Sequence, residues 1–142
     1  NDLFKKKKIV LFSLPGAFTP TCSSQQLPGF ESRYEELKKF VDEVYCMSVN
    51  DAFVMNAWFR DQNISKVKPI GDGEGKFTEG MGMLVKKPKQ GFGLRSWRYS
   101  ALIDDCEVVK QFVEDGKNDE SKDDDPFKVS DVETMLNYLK KN

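Results

Sequence analysis

The apolar run Ile9-Val10-Leu11-Phe12, entered from Lys8 and followed after Ser13-Leu14 by Pro15-Gly16, constrains the fold of this chain more than any other stretch. It hardly alternates and is rich in β-branched and aromatic side chains, which predicts a strand buried on both faces, with layers packed above and below it. The punctuation that comes next, Pro15-Gly16-Ala17-Phe18-Thr19-Pro20, predicts a tight loop that hands Thr21 and Cys22 to the first turn of a helix. A thiol in that position meets the exposed N–H groups and positive dipole end of a helix, which favour its ionised form. Thr19, Thr21, Ser23 and Ser24 place hydroxyl donors around it. A lone cysteine equally reads as a small buried hydrophobe, so a functional thiol here needs a cation as well.

The helix that starts near Thr21 is expected to be interrupted by Pro28-Gly29 and to continue over 30–40, with Phe30, Tyr34, Leu37 and Val41 on its apolar face. Residues 44–49 predict a second buried strand, ended by Asn50-Asp51, either of which can cap a helix over 52–61. That helix offers Phe53, Val54, Ala57 and Trp58 as its apolar face. Strand-helix-strand-helix order with short apolar strands points to an α/β fold, a parallel sheet with covering helices. Farther on, the pattern predicts short strands at 67–70 and 83–85, a brief helix at 75–80, and a hairpin of 98–104 with 107–114 that bends at Asp104-Asp105. The polar stretch 115–125 reads as a solvated loop, and Ser130 with Glu133 as the capping box of a last helix carrying Val132, Met135, Leu136 and Leu139 inward. The 142 residues are expected to form one domain, 1–142, without repeats or linkers.

A net charge of −1 offers nucleic acid no electrostatic footprint, and the four lysines at 5–8 read as a solvated strand entry. No uncharged apolar stretch has the length of a membrane span or of a signal peptide's apolar region. Cys22, Cys46 and Cys106 lie far apart with no C-x-x-C pair, which suits a reducing compartment and argues against secretion. Cys46 falls mid-strand, as a core thiol, and Cys106 beside the hairpin bend, more exposed. The chain has no histidine. That removes Ser-His and Cys-His pairs, imidazole acid–base catalysis and most zinc sites, and scattered thiols make no metal-ligand set. Whatever activates Cys22 is not an imidazole.

PGAFTPTC with the following SSQQLPGF, then SVNDAFV at 48–54, then LRSWRYSALIDD at 94–105, resembles the peroxiredoxins of the atypical type II (peroxiredoxin-five-like) subfamily, in order and over nearly the whole chain. The resemblance implies a thioredoxin-like α/β fold whose central mixed sheet is flanked by helices. It implies that Cys22 is the peroxidatic nucleophile, that the Thr19 hydroxyl holds thiolate and peroxide, and that Arg98 is the cation. Pro15, Thr21 and Phe92 would line the substrate pocket, with Pro15 shielding it from water. Arginine suits this role because it is permanently charged and presents a fork of donors to developing negative charge. Taken without the resemblance, Arg98 beside Arg95 reads just as well as a surface arginine, and Thr19 as turn chemistry before a proline. Phe18 and Trp58 are expected to be core or subunit contacts.

The same resemblance implies a thiol-dependent peroxidase acting on hydrogen peroxide and alkyl hydroperoxides, a homodimer, and no bound cofactor or metal. Some relatives carry a resolving cysteine near the last helix, whereas residues 123–130, DDDPFKVS, contain none. This points to a one-cysteine form resolved by an external thiol, either glutathione with glutaredoxin or thioredoxin. The family also carries a small β-hairpin ahead of the strand that begins here near Lys8. The chain is thus expected to be shortened or to have lost its front, along with any targeting segment, and to work in the cytoplasm or in a mitochondrion or plastid. Two other functions compete. A thioredoxin-like disulfide oxidoreductase would need a second cysteine, which Cys22-Ser23-Ser24-Gln25 lacks. A redox-sensing or chaperone-like interaction protein would use the same thiol without catalysis.

Overall fold

The computed structural model describes residues 3–20, 22–89, 91–119 and 126–141, with Cys22 and Ser24 described in their backbone only. A five-stranded mixed sheet forms its centre, in the order β3-β2-β1-β6-β7. β1 (Lys8–Leu14) lies in the middle, parallel to β2 (Glu43–Ser48) and antiparallel to β6 (Tyr99–Asp104). β3 (Lys68–Gly71) adds in parallel beyond β2, and β7 (Glu107–Val113) closes the other edge as a hairpin with β6. Its bend falls at Asp105-Cys106, both in the left-handed region.

Burial of β1 on both faces is what builds the two layers. Val10, Phe12 and Leu14 point into one core, completed by α1 (Leu27–Ser32), α2 (Tyr34–Leu37), α3 (Ala52–Asp61) and α5 (Val132–Lys141). There Phe12 stacks on Phe30 with ring centroids 4.0 Å apart and planes nearly parallel. Ile9 and Leu11 point into the second core, with Tyr45, Met47, Trp97, Tyr99 and Val85. This face is covered by α4 (Lys76–Gly80) and by a separate ribbon of β4 (Leu84–Lys87) and β5 (Gly93–Ser96).

Several elements depart from the sequence-based expectation, each for a physical reason. Pro28-Gly29 does not interrupt the first helix. The chain instead makes a widened, π-helical turn over Cys22–Gln26, and Pro28 sits at the start of α1. Its ring nitrogen has no N–H to return into that turn, and the wider turn absorbs the loss. The break comes later, at Arg33, which leaves helical geometry (φ −108°, ψ 16°). α3 starts where Asp51 predicts it, the Asp51 carboxylate accepting from the Val54 N–H at 2.8 Å. It buries Met55, Trp58 and Phe59, whereas Phe53 stands 85% exposed. β5 has no apolar run to announce it and is held by pairing with β4. The last helix is capped by Asp131, not Ser130: its carboxylate accepts from the Thr134 N–H at 3.3 Å and the Thr134 hydroxyl at 2.5 Å. The Ser130 hydroxyl instead donates to Glu114 at 2.6 Å.

Replacement of Asp131 by alanine is accordingly expected to cost about 1 kcal/mol in urea unfolding, the usual worth of an N-cap. Glu133→Ala should cost less than about half of that, since the Glu133 side chain is not the cap.

Candidate active site

Of the residues singled out in the sequence, Pro15, Thr19 and Arg98 lie on segments that meet where β1 leaves the sheet. Leu14 pairs with Ser48 at the end of β2, and Ser13 pairs with Tyr99 at the start of β6. The loop after β1, the segment after β2 and the segment before β6 therefore share one end of the sheet. Outside the carboxyl ends of parallel strands is where α/β sheets open a crevice.

The loop is held closed from inside. The Thr19 hydroxyl donates to the Gly16 carbonyl at 2.7 Å, and the Ser23 N–H donates to the Thr19 carbonyl at 3.0 Å. The Ala17 N–H donates to Asn50 Oδ1 at 3.0 Å, and the Ser48 hydroxyl donates to the same oxygen at 2.5 Å, which fastens the loop to the end of β2. Phe18 lies in the left-handed region at φ +63° and is about half exposed. A bulky residue there stores on the order of 1–3 kcal/mol of backbone strain, a feature that gathers at functional sites. Phe18 is thus not a core residue, whereas Trp58 is fully buried. Trp58 also braces the π turn, Nε1 donating to Ser23 Oγ at 2.9 Å.

The Thr19 hydroxyl has one proton, which is donated to the Gly16 carbonyl, so its oxygen has only lone pairs left to offer a ligand. Thr19 can then accept from a protonated ligand oxygen but has no hydrogen to give a thiolate without giving up Gly16.

Arg95 completes the loop from the ribbon. Its Nε donates to the Phe92 carbonyl at 3.1 Å, its Nη1 donates to the Pro15 carbonyl at 3.2 Å, and its guanidinium lies 4.9 Å from the Phe92 ring centroid. A Cβ at position 16 would come within 2.4 Å of that Nη1, so the glycine is what lets the guanidinium approach. Pro15 and Phe92, both half-buried, are brought together through this one side chain.

Arg98 is 1% exposed, which removes the surface-arginine reading. Its Nη1 donates to Gln26 Oε1 at 2.5 Å, and its guanidinium lies 5.9 Å from the Phe127 ring centroid. Gln26, fully buried, ends the same π turn that Cys22 begins. A permanent cation is thereby docked against the backbone turn that carries the cysteine. Thr21 and the Cys22 side chain lie outside the described residues. Cys46 is buried in β2 and Cys106 exposed at the β6–β7 bend, as expected.

Behind Arg98 stands a buried carboxylate. Glu114, 2% exposed, accepts from the N–H groups of Lys128, Val129 and Ser130 at 2.8, 2.9 and 2.8 Å and from the Ser130 hydroxyl at 2.6 Å. Burial alone would push its carboxyl up, but the Ser130 hydroxyl and the three N–H donors outweigh burial and hold it below the usual carboxylate range. The sequence-based reading did not reach Gln26, Arg95 or Glu114 as site residues. Gln26 had a signal, four residues beyond Cys22 on a helical turn. Glu114 had none, since a lone acid at a strand end normally belongs to solvent.

Comparison with known proteins agrees with this architecture. Residues 1–136 match the Redoxin family. A peroxiredoxin of Rhizobium etli is 55% identical over 141 residues, covering 99% of this chain and 78% of that protein. The structure of the Plasmodium falciparum antioxidant protein, a 1-Cys peroxiredoxin, superposes with a TM-score of 0.93 at 41% identity, covering 99% of this chain and 83% of that one. The reduced Prx3 of Vibrio vulnificus in complex with hydrogen peroxide superposes with a TM-score of 0.87 at 42% identity, covering 97% and 84%. No helix among the described residues is long and apolar enough to cross a membrane. A thioredoxin-like mixed sheet, a cysteine opening the helical turn after its central strand and full-length similarity to these enzymes place the chain in the Redoxin family, as a peroxiredoxin, a thiol-dependent peroxidase.

Proposed function

We propose that Cys22 reduces hydrogen peroxide and alkyl hydroperoxides with Arg98 as its electrostatic partner and Thr19 as its substrate-orienting group. The observation that carries this reading is the burial of Arg98 against Gln26, the last residue of the turn that Cys22 opens. In water-poor surroundings a fixed guanidinium stabilises a thiolate and the charge that moves onto a departing oxygen far more than it would in solvent. The Cys22 thiolate attacks the terminal peroxide oxygen, an S–O bond forms and the O–O bond breaks. Sulfur is oxidised to the sulfenic acid, and the departing alkoxide or hydroxide takes up a proton to leave as alcohol or water. Thr19, with its own hydrogen on Gly16, accepts from the hydroperoxide O–H and aims the terminal oxygen. Pro15 and Phe92, joined through Arg95, form the dry side of the pocket. That a relative of known structure is described with hydrogen peroxide supports the substrate class.

Resolution falls to an external thiol. Cys46 is buried at mid-strand and Cys106 sits on the β6–β7 bend, while Cys22 opens the turn after β1. A glutathione or thioredoxin thiolate attacks the sulfenic sulfur, forming a mixed disulfide and releasing water, and a second thiol then restores the thiolate. Glutathione with glutaredoxin is the favoured donor, acting on a homodimer in the cytoplasm or an organelle; the name of a related 1-Cys peroxiredoxin favours the one-cysteine form.

Stopped-flow reaction with hydrogen peroxide should be abolished in Cys22→Ser, and a variant that kept the parental rate would sink the assignment. Arg98→Met is expected to slow the second-order step about 100-fold or more, the scale on which a preorganised donor acts. Thr19→Ser should stay within a few-fold of the parent, whereas Thr19→Val should lose at least about 10-fold, because only the former keeps an acceptor. With glutathione and glutaredoxin, a Cys46→Ala/Cys106→Ser protein should sustain multiple turnovers at the parental rate. Loss of turnover with an intact first oxidation would reveal an internal resolver instead.

A further inference from the structure

The segment 126–130, which leads into α5, takes four of its hydrogen bonds to a single side chain. Glu114 follows β7 directly, and its carboxylate takes all four hydrogen bonds from Lys128, Val129 and Ser130 described above. Its main chain grips the opposite side. The Glu114 N–H donates to the Arg98 carbonyl at 3.3 Å, and its carbonyl accepts from Trp97 Nε1 at 2.7 Å.

The guanidinium of Arg98 depends on what that carboxylate fastens. Phe127, immediately before Lys128, lies 5.9 Å from it. Gln26, which accepts from Arg98 Nη1 at 2.5 Å, also donates by Nε2 to the Ser130 carbonyl at 3.5 Å. Arginine has donors only, so the amide oxygen faces Arg98, and the Ser130 carbonyl receives the nitrogen on the other side. The face of the guanidinium thus meets residue 127, and the amide that receives its tip meets residue 130.

We propose that Glu114 is a positioning residue for peroxide reduction: by fastening 128–130 it holds Phe127 beside Arg98 and the Ser130 carbonyl against Gln26, and so fixes where the guanidinium stands relative to the turn that carries Cys22. The inference rests on the reading of Arg98 as the cation of the reaction. An ionised carboxylate suits this task because it is acceptor-only and meets four convergent donors. A glutamine in its place turns an amide N–H₂ toward one of them and leaves the segment loose.

The test is a double-mutant cycle on the full chain, comparing Glu114→Gln, Arg98→Met and the pair by stopped-flow reaction with hydrogen peroxide. The pH profile of Cys22 alkylation by iodoacetamide is followed in parallel. Glu114→Gln is expected to slow the peroxide step about 10-fold, as a small misplacement of a charged group does, and to move the alkylation profile to higher pH. In the Arg98→Met background the same change should alter the rate by less than about twofold, because the two act as one unit. A parental rate and profile in Glu114→Gln, or an equal loss in both backgrounds, would overturn the role of Glu114 while leaving Arg98 in place. A parental rate in Arg98→Met would instead overturn the Arg98 reading itself. Should Glu114→Gln fail to fold, Ser130→Ala removes one donor and is expected to slow the step about threefold, again only when Arg98 is present. An unchanged rate there would count against the proposal.

Discussion

A guanidinium almost wholly withdrawn from water is the constraint around which the rest of this site is arranged. Arg98 cannot shed its charge, and desolvating a permanent cation is expensive unless fixed dipoles and donors' partners replace the lost water. At the guanidinium the fold meets that demand with Gln26 from the π turn and Phe127 from the segment before α5, while the Glu114 N–H, donating to the Arg98 carbonyl, holds the main chain. A cation held so firmly against the last residue of the turn that Cys22 opens is a standing electric field in a chain that has no histidine.

The two arginines of the third motif divide the labour. Arg95 addresses backbone carbonyls of Pro15 and Phe92 and keeps the loop in shape, while Arg98 addresses the turn that begins at Cys22. Planar, forked donors suit both tasks, and a lysine would reproduce neither. Gly16 shows the steric side of the same arrangement, since its missing Cβ is the space that the Arg95 tip occupies.

Much of the fold was legible because its signals are local. The unbroken apolar runs of β1 and β2, the Asp51 cap of α3 and the apolar spacing of α5 each lie within a few residues of the element they specify. The misreadings occur where tertiary contacts decide. Ser130 carries the cap signature, but Glu114, sixteen positions back, claims its hydroxyl, and the cap passes to Asp131. Phe53 fits an apolar stripe by period yet faces out, and β5 exists only through its partner strand. The site divides in the same way. Cys22, Thr19 and Pro15 lie in one short motif that marks them as candidates, whereas Arg98 is ambiguous beside Arg95 until its burial is seen. The donation of Thr19's single hydroxyl proton to the Gly16 carbonyl is geometry that no motif encodes.

The contacts that finish the site span long stretches of chain: Arg98 to Gln26 across 72 positions, Arg95 to Pro15 across 80, and Gln26 to Ser130 across 104. Such closures carry a loop-entropy cost that the packed fold has to offset. The Arg98–Gln26 contact is therefore a property of the finished tertiary structure and not of the short motif that carries Cys22. A chain that kept the motif but lost the docking of β6 or of the approach to α5 would keep the thiol and lose the buried guanidinium beside its turn.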